Sequence, residues 1–250
     1  FQKIKIRVIV PTNPKTQNGW YGGYMPDTTI DVCEVQPHEL MSGLIDIIRE
    51  TQNKIGYYEM KSLTKTHLDQ VIEQTINKQE RKLTDAEIVS LAAKLYSQIM
   101  LKSTMQALSC LSGYYADSKH MSRQELLSEK HKPKRLSRYM KATGQTRHSN
   151  VAAHAIVSGG HTNPEAKAAR RILARWKIRI DDPDNGVFLP RDSRYVPHMN
   201  MPEALTHSEL HTREYYINVS SILSQTTTET ECRLALRVIA EQLQSGKWKY

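Results

Sequence analysis

Cysteine is scarce in this chain of 250 residues, and long apolar runs do not occur. Cys33, Cys110 and Cys232 are widely spread, so the sequence contains neither a disulfide framework nor a Cys-x-x-Cys metal knuckle. We expect three reduced thiols and a reducing compartment. No apolar stretch reaches the roughly eighteen residues that a membrane-spanning helix needs, so no such helix is expected. The sequence also lacks internal repeats and low-complexity blocks, and it indicates a polar globular protein.

Positive charge is concentrated in the second half of the chain. The formal net charge is +9, from 35 Lys and Arg against 26 Asp and Glu. Residues 132–250 contain 19 basic and 11 acidic residues, a net of +8, whereas residues 1–131 contain 16 and 15, a net of +1. A basic field on one domain suits a polyanionic partner, usually nucleic acid. A merely solvated basic face is the alternative, and charge alone leaves both open.

The first half of the chain reads as mostly helical. Residues 3–10 alternate polar and apolar side chains and predict a strand. From about residue 37 to 130, Leu and Ile recur at helical spacing, which predicts a small helical bundle. Thr84 and Ser122 are each followed three residues later by Glu, the capping box that opens a helix. We expect the helix after Thr84 to run to about Leu111.

A basic stretch separates the two halves. Residues 130–141 are rich in Lys and Arg and predict a connector that either lies along a phosphate backbone or is simply solvated. A Gly- and Ser-containing stretch follows, and we place the domain boundary near residue 145. The predicted domains are therefore a mostly helical region of unassigned role at 1–145 and a second domain at 146–250.

Strand and helix signals alternate at the start of the second domain. Residues 151–157 predict a strand, and Asn163 followed by Pro164 predicts a helix with an Asn cap. Residues 182–186 are a strong turn signal, and residues 187–189 predict a second strand. The pattern indicates a hairpin-like pair of strands with a helix inserted between them. The fold class predicted for the whole chain is α+β, mainly helical.

Four basic residues accompany the inserted helix, largely away from its apolar face. They are Arg170, Arg171, Arg175 and Lys177. Each either contacts nucleic-acid phosphates or is an ordinary solvated cation, and the pattern does not separate these interpretations.

Two histidines follow the second strand. Thr206 and Glu209 have the spacing of another capping box, which places His207 at the first helical position and His211 four residues later. This spacing puts both imidazoles on one face of a helix. Paired imidazoles of this kind are a common way to hold a divalent metal, although such pairs also occur incidentally.

The order of these elements resembles a known fold unit. A strand with His154, a turn with Asn185, a second strand and a helix with two histidines resemble the ββα-metal finger of the HNH/endonuclease VII superfamily. More narrowly, the sequence is similar to toxin nucleases with an Ala-His-His motif, found at the C-termini of polymorphic and type VI secreted effectors. The resemblance covers about residues 150–220. It is carried by Ala153-His154-Ala155-Ile156-Val157, Ala169-Arg170-Arg171-Ile172-Leu173, Asn185-Gly186-Val187-Phe188-Leu189-Pro190 and His207-x3-His211-x3-Tyr215.

The resemblance implies a site and a function. His154, His207 and His211 would ligate one divalent ion, for which Mg, Mn, Zn and Ni are the candidates. Asn185 would orient the general base, and the basic surface would grip the nucleic-acid backbone. The implied activity is a metal-dependent, largely sequence-independent DNA endonuclease. Its setting would be an antibacterial secreted effector that acts in the cytoplasm of the target cell, with an acidic immunity protein and secretion-system delivery proteins as partners.

The sequence departs from the motif at the general base, because position 155 is alanine. Alanine has no proton acceptor, and general base catalysis typically contributes about 10²–10⁴-fold. The favoured interpretation is a nuclease in an inactivated form. The alternative is that another residue, such as His161 or His198, serves as base, although a structural or ligand-supporting role fits His161 better. A non-catalytic metal-stabilised binding module and an RNase of the same finger type are the competing functions.

Overall fold

The computed structural model describes residues 36–55, 72, 74, 76 and 81–248. The described residues fall in two compact units, divided between Ser103 and Thr104. The boundary predicted near residue 145 therefore lies within the second unit, and the assignment of roles to residues 1–145 and 146–250 stays a prediction. The strand predicted at residues 3–10 lies outside the described residues.

The first unit is helical where it is described. Helix α1 spans Pro37–Ile55, and helix α2, which begins in this unit, spans Asp85–His120. The predicted capping box at Thr84 is formed, since the Glu87 amide donates to the Thr84 hydroxyl at 3.4 Å and the Thr84 amide donates to the Glu87 carboxylate at 2.8 Å. The core of this unit consists of apolar residues at helical spacing: Leu40, Leu44, Ile48, Ile72, Ile76, Leu83, Ile88, Ala92 and Leu95.

Two short helices follow α2, which runs on to His120 instead of ending near Leu111. Helix α3 spans Arg123–Ser128 and begins with the capping box predicted at Ser122. Helix α4 spans Pro133–Ala142, so the prediction of a connector at residues 130–141 is wrong. The buried side chains of Leu136 and Met140 lie one helical turn apart, and they attach this basic helix to the hairpin described next.

The hairpin consists of two five-residue strands. Strands β1, Val151–Ala155, and β2, Gly186–Pro190, are antiparallel, with His154 opposite Val187 and Ala155 opposite Gly186. Because successive side chains of a strand point to opposite faces, His154 and Ala155 belong to different sides of the hairpin. Ala155 packs with the residues of α4, whereas His154 bonds to a residue of a later helix.

Helix α5, Pro164–Arg175, is inserted between the strands as predicted. Its Asn163 cap accepts a hydrogen bond from the Glu165 amide at 2.8 Å. Helices α6, Arg213–Ser224, and α7, Glu229–Gln244, complete the second unit. The largest core cluster, which includes Leu173, Leu189 and Leu236, joins the two residues that follow β1, strand β2 and these three helices. The prediction of a mainly helical α+β fold is confirmed. None of the described helices is long and apolar enough to cross a membrane.

The prediction that a helix begins at His207 is wrong. Residues His207–Glu209 form a single 3-10 turn, and α6 begins only at Arg213. Thr206 does not cap the turn, because its hydroxyl contacts the Glu209 carboxylate at 2.5 Å instead of a backbone amide. Thr212 caps α6 by accepting from the Tyr215 amide at 3.2 Å.

Candidate metal centre

His154 presents a buried nitrogen that has no hydrogen-bond partner among the described residues. The residue is 1% exposed, and its Nε2 lies 2.9 Å from the Tyr215 hydroxyl. That hydroxyl donates to the Ile156 carbonyl at 2.9 Å, so it accepts the hydrogen of Nε2. The proton of the neutral ring is therefore on Nε2, and Nδ1 carries a lone pair. Nδ1 is buried and has no hydrogen-bond partner in the described structure.

His207 and His211 complete a triangle with His154. The ring centroids are 5.2 Å apart for His154 and His207, and 5.3 Å apart for each of the other two pairs. One nitrogen from each ring lies within 4.8 Å of the other two. Three nitrogens bound to one ion at about 2.1 Å are roughly 3.3 Å apart in a tetrahedral arrangement, so small side-chain rotations close the triangle onto a metal. The predicted ligand set thus fits a divalent ion.

The two later histidines converge without sharing a helix. His207 lies in the 3-10 turn, and His211 lies between that turn and α6. Leu210, between them, is fully buried and anchors the segment in the core. The Nδ1 atom of His211 lies 2.9 Å from the Tyr216 hydroxyl, which leaves Nε2 as the nitrogen available to a metal. The prediction that the i, i+4 spacing places both rings on one helical face is therefore wrong in its local structure.

The environment favours the neutral form of all three imidazoles. Burial and then the nearby charges of His207 and His211 lower the pKa of His154 well below its usual value. Burial and then His211 lower the pKa of His207, and burial and then His161 lower the pKa of His211. Metal ions bind the neutral form of imidazole, so these shifts favour ligation at neutral pH.

Asn185 ties the end of β1 to the neighbouring chain. The residue is fully buried, and its Oδ1 accepts from the Val157 amide at 2.8 Å. Its Nδ2 donates to the Ile180 carbonyl at 2.8 Å and to the Val157 carbonyl at 3.3 Å. The amide thus fixes the main chain just beyond His154, and these contacts differ from the expected contact with a base. Its role in orienting a base stays a prediction.

The Ala155 side chain lies in a packed apolar cluster. The residue is 7% exposed and is grouped with Leu136, Met140, Val151 and Phe188. Helix α4 lies so close to the hairpin that a Cβ at Gly186, the partner of Ala155, would be 2.6 Å from the Met140 sulfur. An imidazole at position 155 would have to displace these side chains.

The four predicted nucleic-acid-binding residues divide into two pairs. Arg170 donates to the Ser158 and His161 carbonyls at 2.6 and 2.9 Å, and the Lys177 ammonium bonds to the Met121 carbonyl. Arg171 and Arg175 are exposed one turn apart on α5, and the Arg175 guanidinium lies 4.7 Å from the centre of the Trp176 ring. Only Arg171 and Arg175 keep the exposure that phosphate contacts need, and binding by all four stays a prediction.

His161 and His198 occupy different settings. The His161 ring packs on Tyr216, with 4.5 Å between ring centroids, and its Nδ1 accepts from the Asn163 amide at 3.2 Å. His198 is 8% exposed and bonds through both nitrogens, to the Ser149 carbonyl at 2.9 Å and to the Asn200 amide at 3.2 Å. His161 therefore lies beside the metal centre. His198 instead connects two loops, through its bonds to Ser149 and Asn200.

Sequence reasoning missed the groups that orient the ligands. The hydroxyl of Tyr215 contacts His154, and the hydroxyl of Tyr216 contacts His211. The sequence motif includes Tyr215 but assigns it no role. The spacing of four residues from His211 to Tyr215 was the available signal. His131, whose Nδ1 lies 2.5 Å from Asp181, was also missed, and the 50 residues between them left no local signal.

The hairpin, the inserted helix and three convergent imidazoles define the class of this unit, a hairpin-and-helix scaffold able to hold a divalent ion. Residues 135–243 match the model of the AHH family, described as a nuclease family of the HNH/ENDO VII superfamily with conserved AHH. This match confirms the family resemblance and supports a nuclease function for residues 135–243. In this chain the motif reads Ala153-His154-Ala155. No curated protein and no solved structure matches the chain.

Proposed function

We propose that residues 135–243 form the nuclease domain of this chain, a divalent-metal-dependent endonuclease that hydrolyses phosphodiester bonds of DNA largely without regard to sequence. The observation that carries this proposal is the buried Nδ1 of His154, which has no hydrogen-bond partner among the described residues, in a ring that lies within reach of two further imidazoles. A buried polar atom without a hydrogen bond costs about 1–3 kcal/mol. Ligation of a metal ion would remove that cost.

Each residue of the centre has a defined part in holding the ion. His154 would bind through Nδ1 and His211 through Nε2, because Tyr215 and Tyr216 occupy their other nitrogens. His207 would supply the third nitrogen. When bound, the ion supplies Lewis-acid stabilisation of the charge on the leaving 3′ oxygen. Three imidazoles plus water serve Zn²⁺, Ni²⁺ and Mn²⁺ readily, and Mg²⁺ is the remaining candidate.

The charge distribution supports a nucleic-acid substrate, and the resemblance to the Ala-His-His toxins favours DNA. Residues 132–250 carry a net of +8, and Arg171 and Arg175 are exposed on α5. Contacts from such residues to phosphates position the backbone and carry no sequence information. Cutting should therefore be largely independent of sequence. An RNase of the same finger type would use the same contacts, so it is the second candidate.

The biological setting belongs to the same proposal. The resemblance to Ala-His-His toxins supports an antibacterial secreted effector that works in the cytoplasm of the target cell. A producing cell would then need an immunity protein, and the basic half would pair well with an acidic one. Delivery proteins of a secretion system would be further partners.

The location of the general base determines whether this chain, with alanine at position 155, cuts DNA. An inactivated form, with Ala155 in place of the general base, predicts an inert chain and an active Ala155→His variant. A base at another position predicts that the chain itself cuts. The apolar packing of Ala155 against Leu136 and Met140 supports the second alternative.

The test is a cleavage assay with plasmid DNA and structured RNA side by side. The chain and its Ala155→His variant are assayed with Mg²⁺, Mn²⁺, Zn²⁺ or Ni²⁺. The proposal expects that at least one of the two proteins cleaves DNA. EDTA should abolish that cleavage, and His211→Ala should reduce its rate by about 10²-fold or more. His120→Ala, an exposed histidine at the end of α2, is the matched control and retains activity. Binding of DNA without cleavage by either protein would instead support the non-catalytic module.

A further inference from the structure

His131 lies beside the metal centre although it precedes the segment that matches the nuclease family. A charge on His131 would lower the pKa of both His154 and His207, which places the ring within electrostatic reach of two ligands. The loop after β1 packs directly against it, since a Cβ at Gly159 would be 2.6 Å from the His131 Cβ. Glycine at position 159 therefore permits the close approach of His131 to the end of the strand that carries His154.

A buried carboxylate orients the His131 ring. Asp181 is fully buried, and its Oδ1 lies 2.5 Å from the His131 Nδ1. The same carboxylate accepts from the Arg135 Nε at 2.6 Å and from the Lys132 amide at 3.0 Å, so it stays in place. A carboxylate next to Nδ1 keeps the proton of a neutral imidazole on that nitrogen. Nε2 is then the proton acceptor, and the side chain is 23% exposed, enough for a water molecule to reach it.

Asp181 has a counter-ion other than His131. Arg135 bonds to both Asp181 and Glu129 at 2.6–2.7 Å. Arg179 contacts Glu129 at 2.7 Å and the exposed Asp117 at 3.8 Å. Because Arg135 contacts Asp181 directly, Asp181 does not need a protonated His131 as its counter-ion. A neutral imidazole, the form that accepts a proton, is compatible with this cluster.

The other two candidate bases present no such nitrogen. The Nδ1 of His161 accepts from a backbone amide, so its proton is on Nε2, which is then a donor. His198 donates through Nε2 to a carbonyl and accepts at Nδ1 from an amide, so both nitrogens are occupied. Among the three histidines, only His131 combines a fixed Nδ1 proton with an available Nε2.

We propose that His131, oriented by Asp181, is the general base of this nuclease in place of the missing imidazole at position 155. The proposal rests on the proposed function. His131 Nε2 takes one proton from water while the water oxygen bonds to phosphorus and the bond from phosphorus to the 3′ oxygen breaks. The 3′ oxygen gains a proton from solvent, which gives a 5′ phosphate and a 3′ hydroxyl. His131 returns its proton to solvent.

The first test does not depend on activity. Nitrogen-15 NMR of histidine-labelled protein at pH 7.5, without added metal, reports which ring nitrogen carries hydrogen, and His131→Gln identifies the signal. We expect a neutral ring protonated on Nδ1. Asp181→Asn, verified to be folded, should shift the signal towards mixed tautomers. A fully charged ring, or a neutral ring protonated on Nε2, would overturn the proposal.

The second test compares plasmid cleavage by the chain, His131→Gln and Ala155→His. We expect His131→Gln to lower kcat by about 10²–10⁴-fold. Its metal affinity, measured by calorimetry, should stay within about threefold of the parent, since no metal ligand is lost. His120→Gln, at the exposed end of α2, should remain within about tenfold of the parent rate, because it removes no base.

The outcomes separate the two proposals. If the chain cuts and His131→Gln cuts equally well, the base assignment is wrong and the nuclease function stands. If only Ala155→His cuts, the base belongs at position 155 and His131 is again excluded. If neither protein cuts DNA or RNA with any of the four metals, the proposed function itself fails.

Discussion

Replacing Tyr215 with Phe tests how the metal centre is built. The Tyr215 hydroxyl accepts from the His154 Nε2 and donates to the Ile156 carbonyl, both at 2.9 Å. The side chain is fully buried, so phenylalanine fits the space but leaves a buried donor and a buried acceptor without partners. Each unpartnered group costs about 1–3 kcal/mol, and the free energy of unfolding should fall by about 2–6 kcal/mol.

The effect on metal affinity is the more specific result. Groups that hold a ligating histidine in its tautomer contribute about 10–100-fold to metal affinity, which corresponds to about 1.4–2.7 kcal/mol. Without the hydroxyl, the His154 proton is free to occupy Nδ1, the nitrogen that should bind the metal. We therefore expect Tyr215→Phe to bind Zn²⁺ about 10–100-fold more weakly than the parent chain in calorimetry at pH 7.5.

Tyr216→Phe is the matched control. Tyr216 contacts His211, which is exposed and can take its second hydrogen bond from water. Its loss should reduce Zn²⁺ affinity by less than about tenfold. Folded Tyr215→Phe protein that binds Zn²⁺ as tightly as the parent would refute the assignment of Nδ1 as the His154 ligand atom.

Three further predictions concern stability. Asn185→Ala removes three buried hydrogen bonds and should lower the free energy of unfolding in urea by about 3 kcal/mol or more; a loss below about 1 kcal/mol would contradict its role in fixing the strand end. Because the pKa of His154 is lowered in the folded chain, the unfolded chain binds more protons below pH 6.5, so stability should fall as the pH drops through that value. His154→Ala should flatten this dependence, and an unchanged pH profile would argue against the buried neutral ring. Free Zn²⁺ at one hundred times its dissociation constant should stabilise the chain by about 2.7 kcal/mol, and EDTA or His211→Ala should remove that gain in thermal unfolding.

The parts of the fold that the sequence predicted are set by local chemistry. Thr84, Ser122 and Asn163 each open a helix as expected, because a capping side chain acts on amides two or three residues away. The two strands were also recognisable, because short apolar runs ended at turn residues. Such signals depend only on neighbours in the sequence.

The errors arise where tertiary contacts decide the local structure. The lysines and arginines of residues 130–141 obscured the buried pair Leu136 and Met140, so a packed helix was taken for a connector. At Thr206, a contact with the Glu209 carboxylate replaced the expected cap. His207 and His211 still converge on His154, because Leu210 is buried between them.

The partners of the ligands could not have been predicted. The Tyr215 hydroxyl reaches His154 and Ile156 across about sixty residues of sequence, and His131 reaches Asp181 across 50. Such pairings depend on the packing of whole helices. The three candidate ligands could therefore be named from the order of motifs, whereas the tautomers of their rings and the side chains that hold them required the structure.

Anomalous X-ray diffraction from crystals grown with Zn²⁺ tests the metal centre most directly. The account predicts one strong peak about 2.0–2.1 Å from the Nδ1 of His154, a nitrogen of His207 and the Nε2 of His211. Crystals of His154→Ala should lose or greatly weaken that peak. A peak bound elsewhere, with the three histidines separate and unligated, would contradict the account.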